Sequence, residues 1–239
     1  MLRTIFTVLF ITIFLIVSIP IWGVLFIVGL FNKHTKDVIS YKIVAWAFGV
    51  VLFISGVQTE VHGLENIPKD RSVLFIGNHQ SFFDVILGYH ICPPITGFLS
   101  KKTFEKVPLL SVWMHMNYCI FLTRTDPRED LKLMLKAVDH VKQGINMFIF
   151  PEGTRSKDGK VHRGHTGAAL ISAKSGKPIV PVGICFGEKL KFRTPITVKY
   201  GKPVYPEEYV NNPEEPNPRQ LVKLKNRYME EIKLLVEGE

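Results

Sequence analysis

Two residues five apart, His79 and Asp84, have the types and spacing to move a proton between them. They sit in Asn78-His79-Gln80-Ser81-Phe82-Phe83-Asp84, between the apolar runs Ser72–Gly77 and Val85–Tyr89. The first run reads as a buried strand and the second as a helix start, which places the histidine on a strand-to-helix turn. Such turns are where a rigid scaffold presents reactive groups. An imidazole accepts a proton near neutral pH. A carboxylate in the first turn of the helix could fold back onto the ring, fix its tautomer and stabilise the imidazolium. A plainer reading fits the same residues: Ser81-x-x-Asp84 is also a helix capping box.

A second constellation, Phe150-Pro151-Glu152-Gly153-Thr154-Arg155-Ser156, closes another apolar run, Asn146–Phe150. Pro151 ends the strand, and Gly153 lets the backbone approach a ligand closely. Thr154 offers a hydroxyl, and Arg155 a forked cation suited to phosphate oxygens. The stretch reads as an anion cradle or, with equal weight, as a polar turn in which Glu152 pairs with Arg155. Two more predicted strand ends carry cations, Lys101-Lys102 and Arg124. Convergence of these ends on the edge that holds His79 would make a phosphate site.

The elements that must position these residues alternate in type. Strands are predicted at Val61–Glu65, Ser72–Gly77, Thr96–Ser100, Cys119–Thr123, Asn146–Phe150, Ile179–Ile184 and Ile196–Tyr200. Helices fall between them, after Ser81, over Pro108–Met116, from Asp126 to Gly144, over Thr166–Ser175 and from about Pro218 onward. The fourth strand's helix is the best specified: Asp126 caps it, Pro127 takes its first position, and Leu131, Met134, Leu135, Val138 and Val141 keep one apolar face. Alternation of this kind means an α/β fold with a mostly parallel central sheet covered by helices on both faces. Ligands of such sheets lie at the strand carboxyl ends.

The first part of the chain has a different texture. Between Arg3 and Lys33 lie 29 uncharged positions, most of them apolar. That exceeds the ~20 residues a bilayer span needs. A second uncharged stretch, Ile43–Thr59, has 17 residues. The chain thus divides into a membrane-associated two-helix segment, residues 1–58, and a domain over residues 59–239. A spanning hairpin would put Arg3 and the Lys33/Lys36/Lys42 loop on opposite sides, against the positive-inside tendency. A re-entrant or interfacial pair keeps all cations and the domain on one face. Pro20 and Gly23 favour the second arrangement, as the bend it requires.

Thirty Lys and Arg against 21 Asp and Glu give a formal charge of +9. The excess suits an anionic partner such as an acidic membrane surface or a phosphorylated substrate. Nucleic acid is excluded as a partner, because the cations are dispersed and no reading-head pattern appears. Cys92, Cys119 and Cys185 are odd in number and far apart, with no zinc-type pair, and read as reduced thiols on a cytosolic face. No Ser or Cys occupies a nucleophile elbow.

The two motifs in this order, N-H-x-S-x-x-D and then F-P-E-G-T-R-S, resemble those of the glycerolipid acyltransferases, and among them the 1-acylglycerol-3-phosphate acyltransferases. The resemblance covers roughly Glu60 to Tyr200. Phe121-Leu-Thr-Arg124 is similar to the family's F-I-D-R, and Val180-Pro181-Val182 to its V-P-V. Two departures stand out: Thr123 replaces the aspartate of F-I-D-R, and His165 stands where the family often has Lys or Arg.

The resemblance implies a membrane enzyme of phospholipid synthesis, on the cytoplasmic face of the cell membrane. Its reaction is acyl transfer from an acyl thioester to the sn-2 hydroxyl of lysophosphatidic acid. His79 and Asp84 are the implied catalytic pair. Lys101, Lys102, Arg124, Glu152, Gly153, Thr154 and Arg155 are the implied substrate-binding residues, with turn amides near residue 79 as candidate oxyanion donors. No metal and no resident cofactor are implied; acyl-coenzyme A or acyl-carrier protein is the co-substrate. Glycerol-3-phosphate or another lysophospholipid is the alternative acceptor.

Overall fold

The computed structural model of the chain describes residues 2–186 and 195–238. Strands that are apolar at every position need cover on both faces. Among the described residues the sheet runs, edge to edge, β1 (Gln58–His62), β7 (Pro195–Tyr200), β6 (Ile179–Phe186), β2 (Leu74–Gly77), β5 (Asn146–Ile149), β3 (Thr96–Lys101) and β4 (Ile120–Leu122). All positions of β2 and β5 are buried, and these strands lie inside the sheet. β6, β2, β5, β3 and β4 are mutually parallel. β7 runs antiparallel to β6, and β1 runs parallel to β7. The mostly parallel sheet expected from the sequence is present.

Side chains alternate across the sheet with period two. Phe75, Phe98, Phe148, Val180 and Val182 face α1 (Leu2–Phe31), α2 (Lys33–Ser55), α3 (Phe83–Ile91) and α4 (Leu110–Met116). Leu74, Ile76, Met147, Ile149 and Ile179 face α5 (Pro127–Lys142), α6 (Gly167–Ser175) and α7 (Pro218–Glu237). The start of α5 forms as its sequence dictates, with the Asp126 carboxylate accepting from the Arg128 and Glu129 amides. The Glu129 side chain does not return to the cap. It pairs instead with Lys102 at 2.8 Å.

Two local expectations are corrected. The first strand lies at Gln58–His62 rather than Val61–Glu65, because the chain must turn at Gly63. There φ is 77°, and an added Cβ would lie 2.2 Å from the Tyr200 carbonyl oxygen. Pro20 and Gly23 do not interrupt the first helix, since α1 continues from Leu2 to Phe31. Proline removes one backbone hydrogen bond, and the apolar turns on either side hold the helix together.

α1 and α2 form an antiparallel pair. Asn32 caps α2 by accepting from the Thr35 amide at 2.9 Å, and at the far end the Arg3 guanidinium meets the Ser55 carbonyl at 3.5 Å. Both helices are long and apolar enough to cross a membrane. Their outward face is bare hydrocarbon, including Ile5, Phe6, Leu9, Ile13, Ile16 and Phe53. Their inward face is pinned to the rest of the protein by polar groups. The Tyr41 hydroxyl reaches the carbonyls of Tyr89 and Cys92 at 3.1 and 3.2 Å. Trp113 donates to Ser18 at 2.9 Å, and Asn117 to Ser40 at 3.2 Å. Tyr118 donates to the buried Asp37, whose other oxygen is 2.7 Å from Lys36. At its end α2 passes the chain to β1 beside the carboxyl end of β6, where Phe186 pairs Ile196 and Pro195 pairs Gln58.

Replacing Tyr41 with Phe leaves two buried carbonyls without that donor. The change should cost about 1 kcal/mol. In detergent the melting temperature should fall by about 2–4 °C. An unchanged melting point would mean the hairpin is held by apolar packing alone.

Candidate active site

The site is built where β2 and β5 end. Past Gly77, the Asn78 side chain donates to the Ile184 carbonyl at 2.9 Å and accepts from its amide at 2.8 Å. It thereby extends the β2–β6 ladder by one step, and the next residue is set at the rim. His79 Nδ1 lies 2.7 Å from Asp84 Oδ2. The same oxygen accepts from the Gln80 amide at 2.7 Å and from the Ser81 amide at 2.8 Å. Both readings of this stretch hold in part: Asp84 takes the Ser81 amide as the return half of a capping box would, while the Ser81 hydroxyl accepts from the Phe83 amide instead, and the same Asp84 oxygen grips the histidine. Because Oδ2 accepts, Nδ1–H is the group that faces it, which makes Nε2 the lone-pair nitrogen of the neutral imidazole. The imidazole stacks on Phe150, with centroids 4.2 Å apart and planes at 21°. Its side chain is 18% exposed while Asp84 is fully buried, and among the described residues nothing bonds Nε2.

The second turn is bolted to the first. The Glu152 carboxylate, 6% exposed, accepts from the His79 amide through Oε1 and the His162 amide through Oε2, each at 3.1 Å. In return the Ser156 amide donates to the His79 carbonyl at 2.7 Å. Gln80 Nε2 donates to the Gly159 carbonyl at 3.1 Å. Gly153 has φ 70°, with only the His165 ring near a would-be Cβ, at 3.6 Å, so glycine serves the backbone conformation rather than space.

The strand-end cations take different stations. The Arg124 guanidinium donates to the Gly153 carbonyl, which joins the β4 end to the second turn. Arg124 itself sits at φ 61°, uncommon for a residue with a Cβ. Asp130 holds it there, accepting from the Arg124 amide at 2.8 Å and from the Thr123 amide and hydroxyl at 2.7 and 2.9 Å. The hydroxyl of Thr123 thus sits on a carboxylate supplied from α5. Lys101 is exposed at the end of β3, while Lys102 is tied to Glu129. Thr154 and Arg155 are exposed, and among the described residues their backbone amides make no hydrogen bond.

Three expectations change with this geometry. Glu152 does not pair with Arg155. Its buried carboxylate, placed among the substrate contacts by the sequence, is the clasp between the turns. The amides of His79, Gln80 and Ser81 are all engaged, so they are not free to meet an oxyanion; those of Thr154 and Arg155 are. Cys92 and Cys119 are buried beneath the sheet face, and burial pushes their thiols up to about 12 and about 11, far from a reactive thiolate. What the rim offers is a base with a free lone pair and unpaired donors around it. That set can take a proton from a hydroxyl on a molecule held by an anionic group.

Residues 58–185 match the family described as Acyltransferase. The chain is 33% identical over 154 residues to the chloroplastic 1-acyl-sn-glycerol-3-phosphate acyltransferase BAT2 of Brassica napus, covering 64% of this chain and 44% of that protein. It is 28% identical to the 1-acyl-sn-glycerol-3-phosphate acyltransferase of Borreliella burgdorferi, over 60% of this chain and 58% of that one. The chain spans about half the length of these curated relatives. Its fold is similar to the crystal structure of the 1-acyl-sn-glycerophosphate (LPA) acyltransferase PlsC of Thermotoga maritima. There the TM-score is 0.67 and the identity 25%, covering 97% of this chain and 98% of that one.

Glu152→Gln sets an amide donor against a backbone amide at one of the two contacts. It should destabilise the protein by about 1–3 kcal/mol. It should also speed modification of His79 by diethylpyrocarbonate as the turns part. Unaltered melting and labelling would show that Glu152 is not the clasp.

Proposed function

The chain belongs to the acyltransferase family, and we propose that it transfers a fatty acyl group from an acyl thioester to the sn-2 hydroxyl of 1-acylglycerol-3-phosphate, giving phosphatidic acid. The observation that carries this reading is the free Nε2 of His79, backed by Asp84, with the turn that binds Arg124 and bears the exposed Arg155 fastened to the same histidine through Glu152 and Ser156. The names of the relatives, all of them acyltransferases of 1-acyl-sn-glycerol-3-phosphate, support the choice of acceptor.

His79 Nε2 removes the hydroxyl proton as the oxygen attacks the thioester carbonyl carbon. Asp84 holds the resulting imidazolium. The tetrahedral intermediate then expels the thiolate, and the imidazolium returns the proton to sulfur. The acyl group passes directly, with no acyl-enzyme, in keeping with a sequence that has no Ser or Cys in a nucleophile elbow. Arg155, Arg124 and Lys101 seat the acceptor phosphate, Lys102 lies beside them, and the amides and hydroxyl of the Gly153–Arg155 turn complete the cradle. The free amides of Thr154 and Arg155 are also the groups placed to receive the developing oxyanion.

The hairpin keeps the enzyme on its substrate. α2 is fastened to α3 and α4 by Ser40, Tyr41 and Asp37, which favours a pair embedded in one leaflet over one that threads through the bilayer. Every cation of the hairpin and the whole catalytic unit then share one side, the cytoplasmic face of the cell membrane.

With one acyl thioester and a panel of acceptors, lysophosphatidic acid should be consumed well ahead of glycerol-3-phosphate and neutral lysophospholipids. His79→Ala should lower turnover by about 10²–10⁴ with folding intact. Full activity in a folded His79→Ala protein would end the mechanism. Arg155→Ala should raise the KM for the phosphorylated acceptor far more than that for the donor; equal shifts would move Arg155 to the donor side.

A further inference from the structure

Cations stand on two sides of His79, and a phosphate monoester needs only one of them. Lys101, Lys102 and Arg124 occupy the β3 and β4 side. On the other side lies the loop 156–163, which is tied at two points to the catalytic turn and at a third to Glu152. These are Ser156 amide to His79 carbonyl, Gln80 side chain to Gly159 carbonyl, and His162 amide to Glu152. Its outer flank rests against the end of α7, where the Val161 amide donates to Glu237 at 3.2 Å. The loop therefore lies on the α7 side of the histidine, away from Arg124.

Three exposed cations ride on this loop, Lys157, Lys160 and Arg163, and among the described residues none has an acidic partner. The acids within the same neighbourhood are already engaged. Asp158 accepts from the Ser156 hydroxyl at 2.8 Å, from the Lys160 amide at 3.2 Å and from the His162 ring at 2.8 Å. Glu237 faces Lys233 at 3.8 Å as well as the Val161 amide. A loop fastened at these points, whose three cations outnumber the single ionised carboxylate of Asp158, lies beside the base and suits an anion that arrives with the second substrate. Keeping the two anions on opposite sides of His79 spares them mutual repulsion while their reacting atoms meet.

On the acyl-transfer reading above, we propose that Lys157, Lys160 and Arg163 seat the phosphates of a nucleotide-bearing thioester donor of the coenzyme A class. The donor enters over the loop from the α7 side, and the acceptor phosphate lies on the β4 side.

The test uses the full chain in detergent micelles and the double variant Lys157→Glu/Lys160→Glu. Calorimetry with adenosine 3′,5′-bisphosphate, a probe that needs no turnover, should show binding to the parent weakened roughly tenfold or more in the variant. With lysophosphatidic acid as acceptor, the ratio of the KM for acyl-coenzyme A to that for acyl-pantetheine, which lacks the nucleotide, should rise by the same factor. The parent's KM for acyl-coenzyme A should climb with salt, as screening requires, and the variant's should not. Equal bisphosphate binding by both proteins, or an unchanged KM ratio, overturns the proposal. So does a defect confined to an acyl-carrier-protein donor, which would make the loop a protein-docking surface. Turnover of acyl-pantetheine by the parent reports on the chemistry without the nucleotide, so loss of the seat and loss of the acyl-transfer reading give different results.

Discussion

A single carboxylate oxygen organises the site. Asp84 Oδ2 receives the His79 ring and two consecutive backbone amides, all within 2.7–2.8 Å. A buried acceptor with three donors fixes the turn's shape, the first residues of α3 and the tautomer of the base together. The start of α3 and the geometry of the base are therefore set by the same oxygen. The strand that delivers His79 is positioned in the same manner, by Asn78 imitating one more rung of the sheet.

Around that oxygen the protein joins distant segments by side chain to backbone contacts rather than by ion pairs. Glu152 takes amides from two turns, Asp130 holds Arg124 in a left-handed conformation, and Arg124 reaches back to Gly153. The donors to Glu152 and the Arg124 amide that meets Asp130 are neutral backbone groups, which do not ionise under ordinary conditions. The exposed cations that remain, Arg155 and the loop lysines, are left unoccupied by the scaffold.

What could be read from the sequence was what is decided locally. α5 announces itself through Asp126, Pro127 and an apolar stripe, and the His79–Asp84 pair lies within one turn of chain. The sheet's parallel centre followed from fully apolar runs alternating with helices. The role of Glu152 did not show, because its partner at His79 lies 73 residues away and no local pattern marks it. Where β1 ends depends on how closely Gly63 passes Tyr200, a contact between residues far apart in sequence. Pro20 misled for the opposite reason: a local breaker was outweighed by the helix around it. Ser18, Asp37 and Ser40, polar residues buried on otherwise apolar helices, were the visible trace of the hairpin's docking face.

The junction between α2 and β1 has a kinetic meaning. β1 starts beside the end of β6, so the hairpin's final turn and the reactive rim come to the same edge of the sheet. With the hairpin in a leaflet, as proposed, a lipid arrives at the rim by sliding sideways rather than by tumbling in from solution. Encounter then becomes a two-dimensional search, governed by the mole fraction of acceptor in the leaflet and by lateral viscosity. Diluting the bilayer with inert lipid would slow such an enzyme even at constant bulk concentration.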